Sequence, residues 1–289
     1  MKHRFRKKLK LKKKFVFLGE IFFLFLIVLF IQNINFLKNI LNINAKKYIQ
    51  NNYVQGFEKL SMVSHNKEKQ NKDEIFTVKE EKNATPLIYI YNTHQTEKYI
   101  QENLAYSPTV VHASKYLSEK FNSSGLESIV ENRSIANVLQ QNGWSYGSSY
   151  KVSRIYMEDT FKENNEIKYF FDIHRDAGSH NYTTLCINEK CYAKILFLIG
   201  LENPGYIENQ KYAEVLNKKI NEKVKGLSKG ILQKQGKKVN GVYNQDFSSR
   251  TILIEVGGEN NNIEEVYNTL DILSEVLIEY IKEEINYGK

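Results

Sequence analysis

The pattern of apolar and polar positions changes character near residue 84. From Ala84 onward it falls into blocks that predict strands and helices. LIYIY (87–91), just after Pro86, is an unbroken apolar run of strand length. VVHASKYLSEKF (110–121), behind Pro108, spaces its apolar residues at a helical period, and Gly125 supplies the stop. LESIV (126–130) reads as a second strand, SYKVSRIYMEDTFKEN (149–164) as a helix and KYFFDI (168–173) as a strand. CINEKC (186–191) sits between apolar arms like a hairpin turn, and YAKILFLIG (192–200) reads as one long strand. Ile207–Val224 predicts a helix, TILIEV (251–256) a buried strand, and Ile263–Ile285 a last amphipathic helix. In that helix Ile263, Val266, Tyr267, Leu270, Leu273, Leu277 and Ile281 share one face. Strands alternating with helices predict an α/β domain over 84–289, with a largely parallel sheet flanked by helices.

Upstream, only 15–31 has a strong pattern: seventeen residues, apolar except for Gly19 and Glu20. As a helix they rise roughly 26 Å, close to the hydrocarbon thickness of a bilayer. The preceding tail, 1–14, carries nine Lys and Arg and no acid, which holds that end in the cytoplasm and sends the remainder across. A cleaved signal would want small residues after the apolar run, and IQNINFLKN offers none. The expectation is one uncleaved transmembrane helix at 15–31, a polar stalk over 32–83 and an extracytoplasmic domain. Removing the nine tail cations from the net +8 leaves the other 275 residues near −1. A basic groove for nucleic acid on the folded domain therefore has no support. Cys186 and Cys191 fit a disulfide across a tight hairpin, or equally two reduced, half-buried thiols.

In open α/β sheets, ligands bind at the carboxyl ends of strands. LIYIY is followed by NTHQTE, which places His94 and Glu97 in the first loop. KYFFDI is followed by HRDAGSH, which places His174, Arg175, Asp176 and His180. TILIEV ends on Glu255 before GGENN, where Gly257 and Gly258 permit a tight turn and close approach of a ligand. Two imidazoles and a carboxylate make a standard catalytic zinc set with one position left for water. Zinc brings the pKa of that water toward about 7, and a separate carboxylate must then carry the proton, a role that suits Glu255. Each residue also has a plainer reading. A histidine after a strand is often structural; Glu97 could cap or ion-pair; Glu255 could be a buried paired carboxylate. Asp172 could orient an imidazole or make an ordinary buried hydrogen bond. Arg175 could hold a substrate carboxylate or pair with Asp176. His180 is the substitute ligand, and His112 reads as packing or surface.

In their order, YIYNTHQTEKY, NGWSYGSSYKVSRIYMEDTFKENNEIKYFFDIHRDAG, AKILFLIG and GVYNQDFSSRTILIEVGGENNNIEEV resemble the stage II sporulation protein P family. The resemblance covers about 86–289. It implies a domain similar to the zinc-dependent N-acetylmuramoyl-L-alanine amidases, which cut peptidoglycan between the muramic acid lactyl group and the first L-alanine of the stem peptide. It further implies Zn2+ on His94, Glu97 and His174 and Glu255 as the catalytic carboxylate; Arg175 and Asp176, beside His174, are expected at the substrate. Related amidases place the middle ligand nearer the first helix, where this chain has SPTVVHA and no acid. The implied setting is forespore engulfment, beside a lytic transglycosylase and a polytopic membrane protein. Two other readings stand beside it: a zinc endopeptidase acting on stem-peptide cross-links, and a non-catalytic peptidoglycan-binding scaffold. A scaffold would have no need of a general base.

Overall fold

The computed structural model describes residues 85–101 and 107–287, which belong to the unit Glu81–Lys289. The tail, anchor and stalk expected over 1–83 lie outside the described residues. Among the described residues no helix is long and apolar enough to cross a membrane.

Eight strands form here: β1 (Ile88–Tyr91), β2 (Ser128–Val130), β3 (Tyr169–Asp176), β4 (Thr184–Ile187), β5 (Lys190–Ala193), β6 (Ile195–Gly200), β7 (Ser228–Lys234) and β8 (Thr251–Gly258). Among the described residues five helices of two turns or more accompany them: α1 (Val110–Ser123), α2 (Ile135–Asn142), α3 (Ser149–Glu163), α4 (Tyr206–Lys223) and α5 (Ile263–Tyr287). Six strands make one sheet in the order β2-β1-β3-β8-β6-β7, and β4-β5 is a separate hairpin. β2, β1, β3 and β8 run parallel; β6 is antiparallel to β8 and parallel to β7. The one antiparallel junction has a simple cause. Between β3 and β6 there is no crossover helix, only a helical turn and the hairpin. The chain therefore re-enters the sheet from the end at which it left, in the opposite direction. α4 then provides a crossover, and β7 runs parallel to β6.

Register decides which side chains share a face. Tyr91 pairs with Asp172, Asp172 with Leu253 and His174 with Glu255, so these residues point to one side. Ile90, Phe171, Ile173 and Ile254 point to the other, where α1, α4 and α5 bring Leu117, Leu216, Leu270 and Leu273 into the main core. Each such buried side chain contributes about 1.5–3 kcal/mol. The first face is thinner: Tyr89, Tyr91, Met157 and Phe170 form a smaller cluster beneath α3. The polar residues of interest lie on this thinner face.

The expected elements stand with three revisions. YAKILFLIG is broken at Lys194, whose N–H donates to the Thr183 carbonyl while its own carbonyl accepts from Gly257; Tyr192 and Ala193 belong to the hairpin. α2 was not expected. It is a short helix capped by Ser134, which accepts from the Asn137 N–H, and it ends at Gly143 with φ 63°. β7 also escaped, because it is an edge strand with few fully buried positions. Cys186 and Cys191 face each other across β4-β5 in a disulfide. His112 serves as part of the α1 cap, its Nδ1 accepting the Thr109 N–H at 3.1 Å.

Candidate active site

The loop after β1 is fixed before its functional residues are reached. Asn92 donates to the Ile173 carbonyl at 2.7 Å and accepts from Ser114 of α1. Thr93 gives both its N–H (2.9 Å) and its hydroxyl (2.7 Å) to the buried carboxylate of Asp172. A turn follows in which the Glu97 N–H returns to the His94 carbonyl, so His94 and Glu97 are presented together. Gln95 ties the turn to the start of α2, donating to the Arg133 carbonyl and accepting from the Ile135 N–H.

His174 projects from the end of β3 into this turn. Its Nδ1 lies 3.3 Å from Glu97 Oε2. Its Nε2 lies 2.9 Å from Asp172 Oδ1, but too bent to make a hydrogen bond. Glu97 is steadied by the Arg175 main-chain N–H at 3.0 Å. The His94 ring meets the His174 ring edge-on, centroids 5.2 Å apart, and His94 Nδ1 is buried without a partner. Glu255 stands beside His174 in register on β8.

The electrostatics pull these groups apart. Burial opposes a charge on His174, yet the carboxylates of Asp172 and Glu97 outweigh it and push the imidazole up to about 10. Burial and the neighbouring His174 hold His94 below its ordinary value. Glu255 is pushed up to about 7 by burial and then by Asp176, against the pull of His174 and Lys229.

Whether the residues fit a metal ion can be tested on their spacing. Two ligands at about 2.0–2.1 Å from a tetrahedral zinc stand roughly 3.3 Å apart, the separation found between His174 Nδ1 and Glu97 Oε2. Asp172 on the far nitrogen matches the usual carboxylate behind a ligating histidine. The orphaned His94 Nδ1 supplies another buried donor atom. Among the described residues no three His, Cys, Asp or Glu side chains are drawn together as a ready cage. The fit therefore rests on the pair and the orphan.

Other expected residues sit elsewhere. His180 pairs with Glu265 at 3.0 Å. Asp176 accepts from the Gly178 N–H and holds Lys229 at 2.6 Å. The Arg175 side chain reaches Glu259 rather than the Asp176 carboxylate, touching only the Asp176 carbonyl. At Gly257 and Gly258 what approaches closely is the chain itself: added Cβ atoms would meet Asn261, Ala193 and the Gly178 carbonyl at 2.7–2.9 Å.

An aromatic wall was not foreseen. Tyr146 stacks on His94 at 4.6 Å, Tyr150 meets the same ring at 5.5 Å, and Tyr243 packs on Tyr150 at 5.3 Å. Asn240 and Asn244 hold the Tyr243 turn, Asn244 donating to the Tyr150 carbonyl and to Ser153. The density of tyrosine in WSYGSSY was the available signal.

Comparison with known proteins places the chain in a family. The profile described as Stage II sporulation protein P (SpoIIP) matches residues 27–278. Stage II sporulation protein P of Bacillus subtilis (strain 168) is 33% identical over 202 residues, covering 67% of this chain and 50% of that protein. The chain thus spans about half the length of the curated relative it matches. Among solved structures, the CwlD amidase from Clostridioides difficile in complex with the GerS lipoprotein aligns with 69% of this chain and 98% of its own. That match has a TM-score of 0.41 and 13% identity. The N-acetylmuramyl-L-alanine amidase Ami1 from Mycobacterium smegmatis aligns with 70% of this chain and 99% of its own, at a TM-score of 0.39 and 8% identity. At these scores neither structure carries an argument about activity.

Proposed function

Because the chain belongs to the stage II sporulation protein P family, we propose that it is a peptidoglycan hydrolase of sporulation. Its specific reaction is that of a zinc-dependent amidase, cutting between the muramic acid lactyl group and the first L-alanine of the stem peptide. The observation that carries this reading is His174, set between Asp172 and Glu97 with Glu255 beside it in register.

His94, Glu97 and His174 would hold the ion. Bound there, zinc would polarise the scissile carbonyl and acidify a water. The Asp172 carboxylate lies 2.9 Å from the far nitrogen of His174, and the Arg175 main-chain N–H fixes Glu97. Glu255 would accept the proton of the attacking water and pass it to the leaving nitrogen as the C–N bond breaks. The Tyr146 and Tyr150 rings limit water around His94.

Anchoring by residues 15–31 with the domain outside the cytoplasm follows from the nine tail cations. The Cys186–Cys191 disulfide supports it, since such bonds persist in oxidising compartments. A lytic transglycosylase and a polytopic membrane protein are the partners that family membership suggests; co-purification from sporulating cells tests them. The reaction is tested by mass spectrometry of digested sacculi. Amidase action leaves peptide-free glycan and peptides beginning with L-alanine. Glycan that keeps peptide stubs would instead make the enzyme an endopeptidase, and untouched sacculi would leave a binding scaffold.

A further inference from the structure

Arg175 is the charged side chain whose needs the fold meets least well around the site. A guanidinium is a planar fork of donors that cannot shed its charge. Here Nη1 makes one hydrogen bond of 3.2 Å to the Asp176 carbonyl. Nη2 stands 3.6 Å from the half-exposed carboxylate of Glu259. Nε is buried with no partner. Buried donors are almost always satisfied, and an unsatisfied one calls for a reason.

The reason lies next to it. Arg175, with Thr96, Lys98, Tyr99, Glu259 and Asn260, lines a cavity of about 350 Å³. Among the described residues its charged lining is two cations, Arg175 and Lys98, against one acid, Glu259. Its position is also informative, because each wall continues from a residue of the active site. Thr96 and Lys98 flank Glu97, Arg175 follows His174, and Glu259 and Asn260 follow β8 just beyond Glu255. A substrate held with its scissile bond at these residues has this cavity beside it.

We propose that the cavity is a subsite for a carboxylate on the peptide part of the substrate, read by the Arg175 guanidinium with Lys98. Taking the substrate from the amidase reading above, its sugar backbone offers no free carboxylate, because the lactyl carboxyl is already in the amide to be cut. The first residue, alanine, has no side-chain acid. The nearest anion is the α-carboxylate of the second residue, a glutamate joined onward through its γ-carboxyl. The subsite thus makes the enzyme favour stem peptides in which that carboxylate is free over those in which it is amidated. Glu259 is the competitor that occupies part of the guanidinium's field when the subsite is empty.

The test uses two N-acetylmuramoyl-L-alanyl-D-glutamate ligands with the γ-carboxyl capped as a methylamide, one with the α-carboxylate free and one with it as the α-carboxamide. Their binding is measured by calorimetry on the full chain carrying Glu255→Gln, and their cleavage on the wild type. The free acid is expected to bind more tightly by on the order of 10- to 100-fold, the range for a hydrogen-bonded charge. Arg175→Gln should abolish the preference, and Arg175→Lys should keep part of it. Glu259→Gln should act in the opposite direction, strengthening binding of the acid. Zinc content of Arg175→Gln should match its parent, because the contact with Glu97 is made by the main chain. Equal affinities for acid and amide, or a preference that survives Arg175→Gln, would overturn the subsite while cleavage of both ligands would leave the amidase reading intact. Discrimination in binding without cleavage would do the reverse.

Discussion

Asp172 links the fold to the candidate metal centre more directly than any of the proposed ligands. It is fully buried and central in β3. One carboxylate oxygen accepts the Thr93 N–H and faces His174; the other accepts the Thr93 hydroxyl. Two replacements separate these tasks. In Asp172→Asn the remaining oxygen still accepts the Thr93 N–H, and the amide can donate to the Thr93 hydroxyl, which rotates to receive it. The turn that carries His94 and Glu97 should stay in place at a cost of about 1–2 kcal/mol. What disappears is the charge behind His174. Loss of such a partner lowers metal affinity by about 10–100-fold, and zinc titration against a competing chelator should read that change. Asp172→Ala removes both acceptors and leaves Thr93 and His174 buried without them. The cost should be about 3–5 kcal/mol, seen as a fall of about 1–2 M in the urea midpoint of the zinc-free protein. Unchanged zinc affinity in Asp172→Asn would refute the assignment of Asp172 as the group orienting His174. An Ala variant as stable as the Asn variant would refute the claim that these hydrogen bonds hold the turn.

Glu131 offers a test of pH dependence away from the site. Burial raises its proton affinity, but Arg133 and then Tyr89 hydrogen-bond the charged form and outweigh it, so its folded pKa lies below the usual range. Its contribution is therefore complete above the unfolded value of about 4.3 and is lost as pH falls through the folded one. The gap in urea midpoint between wild type and Glu131→Gln should be constant near neutrality and shrink toward pH 3; a gap that widens in acid would contradict this. Gly257→Ala forces an L residue to φ 66° with Cβ 2.7 Å from Asn261 Oδ1. It should cost about 2 kcal/mol or more, a fall of about 4–8 °C in Tm, and an unchanged Tm would show that the turn relaxes freely. Replacing Cys186 and Cys191 by serine opens only a short loop and should cost about 2 kcal/mol at most. In intact cells both thiols should resist alkylation until reduced; ready labelling would argue against an oxidising location.

The strands were legible where burial on both faces makes the sequence a continuous apolar run, as in Ile88–Tyr91 and in TILIEV. They were illegible where one side meets solvent: β7 mixes polar and apolar positions at the sheet edge. YAKILFLIG looks like one strand because apolar continuity does not record a change of sheet. The break at Lys194 is set by contacts with Thr183 and Gly257, both distant in sequence or in a different strand. The strand-end rule located His94, His174 and Glu255, since it depends only on where apolar runs stop. It could not rank the carboxylates around His174. That depends on the register that puts Asp172 and His174 on one face and on the turn that lifts Glu97 toward it. Nor could it separate the Arg175 main chain, which holds Glu97, from its side chain, which leaves toward Glu259. Tyr150 falls inside the helix predicted over 149–164, where an aromatic looks the same whether it packs a core or a histidine, and Tyr146 lies just before it in no predicted element.

The division of labour between ion-holding residues and a proton carrier is the central claim. It is tested most directly by measuring zinc content and peptidoglycan cleavage together in Glu255→Gln and His174→Ala of the full chain. Glu255→Gln is nearly isosteric and keeps the proposed ligands. It should retain zinc at wild-type stoichiometry while activity falls by about 10²–10⁴-fold or more, whereas His174→Ala should lose both zinc and activity. Zinc loss in Glu255→Gln would make Glu255 a ligand, and near-normal cleavage by it would remove Glu255 from the chemistry; either result contradicts the account.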